Sequence, residues 1–180
     1  MWNESFFSAP QLKRDPFGTR ASLMAESWRT RLARWRFNWF PAFWGTGAQI
    51  TYIRADWLEL RIRIPWNWRT RNYVGTIFGG SMFGALDGVH MVMLIKTLGP
   101  GYEVWDKSGA IRFRKPAREP LYATVRITSQ EVADLRAEAE ANGRVERQFS
   151  VDLLSSRGEV HATCEKLLSV RRRARATRGT

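Results

Sequence analysis

One charged residue, Asp87, stands in the otherwise apolar run from Ile77 to Ile95. Burying a carboxylate there costs free energy unless it is paired or used. Apolar surroundings would raise its pKa and make it a better proton acceptor at neutral pH. The run opens on Gly79 and Gly80. If a helix starts at Gly79, its first N–H groups lack intrahelical acceptors and lie at the positive end of the helix dipole. A carbonyl oxygen gaining negative charge could rest against the Gly79 N–H, and glycine allows the close approach. The plainer reading is that the two glycines make a tight loop-to-helix turn. Asn72, on the preceding loop, could orient a water, hold Asp87, or cap its own loop. His90 follows Asp87 at helical spacing and would share its face, as its partner or as a core residue. Alternatively, Asp87 pairs with an Arg across a dimer. One His and one Asp on a helix are too few ligands for a metal, so no metal site is expected.

Those residues need a scaffold. At 180 residues and 44% hydrophobic, the chain can form one domain with a real core. Nine Trp and ten Phe suggest either aromatic core packing or an apolar ligand channel. The formal net charge of +12 favours polyanions: nucleic acid, anionic lipid or a phosphorylated cofactor. Part of it is local, in Arg171, Arg172, Arg173, Arg175 and Arg178, and residues 171–180 read as a disordered basic tail without a specific nucleic-acid role. The single cysteine, Cys164, excludes an intrachain disulfide and a thiolate zinc cluster. The first twenty residues include Glu4 and Asp15 and no apolar core of a signal peptide, so a cytoplasmic protein is expected. The 77–95 run approaches spanning length, but an Asp at the bilayer centre would cost about 3 kcal/mol. A helix buried in a soluble domain fits better than a transmembrane span.

Residues 1–20, with Pro10, Pro16 and Gly18, read as an irregular arm. A basic amphipathic helix is predicted from about Arg20 to Trp39. Leu23, Trp28, Leu32, Trp35 and Trp39 make its apolar stripe, expected to dock on the domain, with weak membrane-surface contact as the alternative. Two strands follow, 49–55 and 57–64, joined at Asp56. A loop over 66–76 leads to the long helix from Gly79 to Leu98, which Gly99, Pro100 and Gly101 stop. Strands over 105–114 and 122–128 come next, then a helix over 129–142 capped by Ser129, then a hairpin of 145–154 and 159–170 that turns at Arg157-Gly158. The helix is apolar on all sides, so it must be wrapped. The expected fold is α+β: a curved antiparallel sheet around one long central helix, in a single domain over 21–170.

The segment from Asn72 to Asp87 carries an Asn, five residues, Phe78-Gly79-Gly80, six residues, then the acid. This resembles the signature of hotdog-fold thioesterases of the phenylacetate-degradation type, with Phe78 where the signature has His. Phe37-Asn38-Trp39-Phe40-Pro41, Asn67-Trp68-Arg69-Thr70-Arg71, Trp105-Asp106-Lys107 and Ile111-Arg112-Phe113 extend the resemblance. They point to a subgroup of unknown function grouped with tetrameric acyl-CoA thioesterases. The resemblance implies hydrolysis of an acyl-CoA, with Asp87 as base or nucleophile, Asn72 supporting it and the Gly79 N–H on the oxyanion. Substrate contacts would fall on Phe78 and Gly80 and, at the nucleotide end, on Arg112, Arg114, Lys115 and Arg118, unless Arg112 and Arg114 are only a strand's solvent face. Coenzyme A enters as part of the substrate, so no separate cofactor is expected. The resemblance also implies a homodimer or a dimer of dimers, with a pocket between protomers to which Asp106, Lys107 or Ser108 could be donated. Phe78 removes a polar group from the signature, and the alternative is an acyl- or CoA-binding protein without turnover.

Overall fold

The computed structural model describes residues 26–173. The arm at 1–20, the segment from Arg20 to residue 25 and the tail beyond 173 lie outside the described residues. Helix α1 (Trp28–Trp39) begins at a capping box. The Ser27 hydroxyl accepts from the Thr30 N–H, and the Thr30 hydroxyl accepts from the Ser27 N–H. These bonds satisfy two donors that the helix leaves open, and they set its start at Trp28 rather than near Arg20. Pro41 ends α1 but opens a second short helix, α2 (Pro41–Gly45), at a position where a missing N–H costs nothing.

Among the described residues the six strands are β1 (Gln49–Ile53), β2 (Glu59–Ile64), β3 (Tyr102–Phe113), β4 (Leu121–Arg126), β5 (Arg144–Leu154) and β6 (Val160–Arg172). All pairings are antiparallel, in the order β1-β2-β4-β5-β6-β3. β4 and β5 share one paired position, Tyr122 with Leu154, so the sheet opens there into two three-stranded halves. Helix α5 (Ser129–Asn142) links those halves. Its cap is Thr128, reciprocated by Glu131, rather than the expected Ser129. Arg171 and Arg172, assigned to the tail from sequence, complete β6 opposite Glu103 and Tyr102.

The face on which α1 docks also differs from expectation. Thr30 is buried, and Ala33 and Phe37 pack on the core, while Trp28, Leu32, Trp35 and Trp39 face outward. The reason is polar. Asn38 accepts from the Ile50 N–H and donates to the Ile50 carbonyl, and Glu26 accepts from the Ile53 N–H. These bonds close the open edge of β1 and fix the rotation of α1.

Inside the sheet lies the central helix, Gly79–Leu98. By length and composition it could cross a membrane, yet half of its most apolar stretch is buried within the domain. It is interrupted at mid-length. α3 (Gly79–Leu86) and α4 (Val89–Leu98) meet at Asp87, which is extended at φ −68° and ψ 132°, and at Gly88, which is left-handed at φ 70°.

Candidate active site

Side chains alternate along β6, and Ala162, Cys164, Leu168 and Val170 enter the core. Lys166 falls in the same alternation and is 4% exposed. Gly109, its partner on β3, leaves room for the lysine stem: a Cβ there would stand 2.8 Å from Lys166 Cδ. The Nζ lies 2.5 Å from Asp87 Oδ1, 3.3 Å from Asp106 Oδ2 and 5.2 Å from the Phe83 ring centre. Burial works to lower the lysine's pKa, but the Asp87 hydrogen bond and the Asp106 charge outweigh it and hold the pKa above the ordinary value. Lys166 is therefore an ammonium at neutral pH. Asp87 is not the buried carboxylate expected: its side chain is 57% exposed, because the left-handed Gly88 breaks the helix and turns Asp87 outward. Asp87 Oδ2 has no partner among the described residues, and Asp106 Oδ1 is buried without one. Asp87 stands at a mostly apolar pocket of about 310 Å³ lined by Phe37, Phe40, Phe43, Leu60 and Met91.

A second cleft, of about 490 Å³, gathers Asn72, Gly79, Phe113, Arg114, Lys115 and Arg118. Phe78 is the N-cap of α3 and offers no side-chain oxygen to the helix. Gly79 lines the cleft, and its N–H, at the positive end of the helix dipole, has no acceptor among the described residues. The two glycines also admit aromatic rings: a Cβ on Gly79 would lie 2.7 Å from Phe113 Cζ, and one on Gly80 would strike the Phe78 ring. Asn72 serves its own loop. Its Oδ1 accepts from the Val74 and Thr76 N–H groups, and its Nδ2 donates to Thr76 Oγ1. Arg114 Nε donates to Thr163 Oγ1 at 3.1 Å, Lys115 Nζ is 3.6 Å from Glu159, and Arg118 has no acidic partner among the described residues.

Residues 29–170 match the family described as "domain of unknown function (DUF4442)". The chain belongs to this family. No curated protein matches it. Among solved structures, PA5026 from Pseudomonas aeruginosa, a protein of unknown function titled a probable thioesterase, is 24% identical; the match covers 80% of this chain and 96% of that one at a TM-score of 0.70. Thioesterase HI1161 from Haemophilus influenzae is 14% identical over 79% of this chain and 90% of its own, at 0.57. Thioesterase PA1618 from P. aeruginosa, solved as a mutant, is 13% identical over 71% and 84%, at 0.54. These likenesses show the fold, the α+β hotdog architecture, and carry no residue roles.

Within this DUF4442 chain the expected catalytic set is split. Asn72 and Gly79 line the basic cleft, while Asp87 lines the apolar pocket. Arg112 is exposed on the strand face opposite to Phe113 and does not line the cleft; its charge bears on Glu165 instead. His90 does not share a helix face with Asp87, because the break separates them; it is 3% exposed and stacks on Phe149 at 4.8 Å. Burial pushes the Cys164 thiol up to about 11, which leaves it a poor nucleophile. Lys166 had no role in the sequence reading. The available signal was a lysine at a core position of the β6 alternation, facing a glycine on β3.

Proposed function

We propose that the protein is an acyl-CoA thioesterase whose working base is Asp87. The observation that carries this reading is the carboxylate itself: the buried Lys166 holds one of its oxygens, and Asp87 lines an apolar pocket at a break in the central helix. In this reading Asp87 takes a proton from a water, and the hydroxide adds to the thioester carbonyl. The oxyanion rests on the Gly79 N–H. Collapse breaks the C–S bond, and the departing thiolate takes up the proton, yielding a carboxylic acid and free coenzyme A. The Arg114, Lys115 and Arg118 rim suits the phosphates of coenzyme A. Because donor and base line different clefts of one chain, the complete site is taken to form between two subunits of a homodimer, alone or paired into a dimer of dimers. The working compartment in this reading is the cytoplasm.

Phe78 favours a second reading, an acyl- or CoA-binding protein without turnover. Its ring is 56% exposed and covers Gly80, so the entrance beside the oxyanion donor is apolar. Release of free thiol from short, medium, long-chain and aromatic acyl-CoAs separates the two. Turnover by the wild type that falls by about 10²-fold or more in Asp87→Asn, with unchanged thermal unfolding, is the expected result. A folded wild type that binds acyl-CoA and hydrolyses none selects the binding reading. Hydrolysis persisting in Asp87→Asn removes Asp87 from the chemistry.

A further inference from the structure

Six large apolar side chains of the α1–α2 elbow are exposed: Trp28, Leu32, Trp35, Trp39, Phe40 and Trp44, at 49 to 71%. The first four recur at three- and four-residue steps and form one stripe along α1. Contiguous apolar surface of this kind marks a site of contact. The same surface is cationic. Residues 28–45 contain Arg29, Arg31, Arg34 and Arg36 and no acid. Glu26 takes Arg34 at 2.8 Å and lies 3.7 Å from Arg31, and Arg29 and Arg36 have no acidic partner among the described residues. Cations also lie on the rings themselves: Arg29 is 5.4 Å from the Trp28 ring centre, and Arg69 is 4.1 Å from that of Trp44.

Charge selects the occupant. A second copy seated on this face would bring the same arginines against one another. Residues 1–25 carry Lys13, Arg14 and Arg20 against Glu4 and Asp15, so that segment supplies no negative complement. An anionic bilayer supplies both halves: phosphates for the arginines, and a headgroup–acyl boundary where Trp rings settle. We propose that α1 and α2 seat the domain on an anionic membrane surface, with the Trp stripe at the headgroup level. Beside the stripe lies a cleft of about 450 Å³ lined by Arg29, Leu32, Arg36, Phe40, Trp57 and Lys96. It shares Phe37 and Phe40 with the Asp87 pocket, so the pocket's rim is continuous with the seated face. Seating of this kind would let an acyl chain pass between bilayer and pocket. That consequence rests on the acyl-binding reading; the seating itself does not.

The test is cosedimentation of the full chain with phosphatidylcholine vesicles, with and without phosphatidylglycerol, at low and high salt. Two variants accompany it, Trp28→Ser/Trp35→Ser/Trp39→Ser and Arg29→Ser/Arg36→Ser. All five side chains are exposed, so unchanged thermal unfolding is expected and is checked first. The wild type should bind the anionic vesicles, lose binding at high salt, and show tryptophan quenching by brominated acyl chains. Each variant should bind roughly tenfold more weakly or worse, since every 1.4 kcal/mol is a factor of ten. No binding to anionic vesicles at low salt overturns the proposal. So does full binding by the Trp variant, which would reduce the effect to charge adsorption. A wild-type oligomer dispersed by the Trp variant, without vesicle binding, assigns the face to a second copy. Salt-sensitive binding of single-stranded nucleic acid in place of vesicles assigns it there.

Discussion

His90 shows how far one buried group can set the behaviour of this core. Its ring is stacked on Phe149, its Nδ1 has no hydrogen-bond partner among the described residues, and burial, aided by the Lys166 charge, pushes its pKa from 6.5 to about 4. The folded state therefore holds His90 neutral where the unfolded chain would protonate it. Its contribution to stability is complete above pH 6.5, declines as pH falls below that, and is lost through the folded pKa near 4. The largest effect is roughly 3 kcal/mol, at 1.36 kcal/mol per pKa unit. His90→Phe keeps the stacking and removes the titration. Urea denaturation should show the wild type losing stability between pH 7 and pH 5 by more than the variant does; parallel curves would mean that His90 is solvated or paired in solution. Gly79 was legible as the first residue of the central helix, because a helix start is local information; of the four expected basic residues, Arg114, Lys115 and Arg118 line one cleft and Arg112 does not. The sequence did not reveal Lys166: the residue stands at an inward position of the β6 alternation, but its place beside Asp87 and Asp106 is set by the pairing of β6 with β3 and by the fold. Nor did it reveal that Asp87 is exposed, which depends on the backbone of its neighbour.

That neighbour acts at the scale of an element. A run apolar from Ile77 to Ile95 reads as one helix, and the sheet does wrap it as one body. The break lies at Asp87, whose backbone is extended, and at Gly88, whose left-handed φ costs other residues about 1–2 kcal/mol. A Cβ on Gly88 would meet only Met91 Cε at 3.6 Å, an ordinary contact, so packing adds nothing. Gly88→Ala should lower stability by about 1 kcal/mol in chemical denaturation and weaken any Asp87-dependent activity. A more stable variant would mean that the helix has straightened through the break, since alanine favours a continuous helix. The strands were more legible. Alternation bounded by Asp56, Pro65 and Gly158 located β2 and the β5–β6 hairpin to within a few residues. The docking face of α1 was not, because periodicity identifies an apolar stripe without saying which side meets the domain. Here Asn38 and Glu26 outcompete four large apolar side chains by closing the β1 edge.

At the scale of the whole molecule, the decisive geometry is the separation of Gly79 and Asp87 onto two clefts. β3 is an edge strand of twelve residues, with Trp105 67% and Phe113 54% exposed. An open edge of that length is a template for a second chain, and a C2 pair would bring each subunit's helix toward the other. If the Asp87 of one subunit serves the Gly79 N–H of the next, two inactive variants can rescue each other. Asp87→Asn lacks the base. Gly79→Pro lacks the oxyanion donor, yet suits the first helical position, and Phe78 before it already has the ψ of 131° that proline demands. A Cβ at Gly79 meets the Phe113 ring, which is half exposed and must swing aside. In a mixed dimer one site carries both lesions and the other carries neither. Coexpression should therefore recover about a quarter of wild-type turnover, since half the dimers are mixed and each has one intact site. Sites confined to single subunits would each keep one lesion, and the mixture would stay as inactive as its parents.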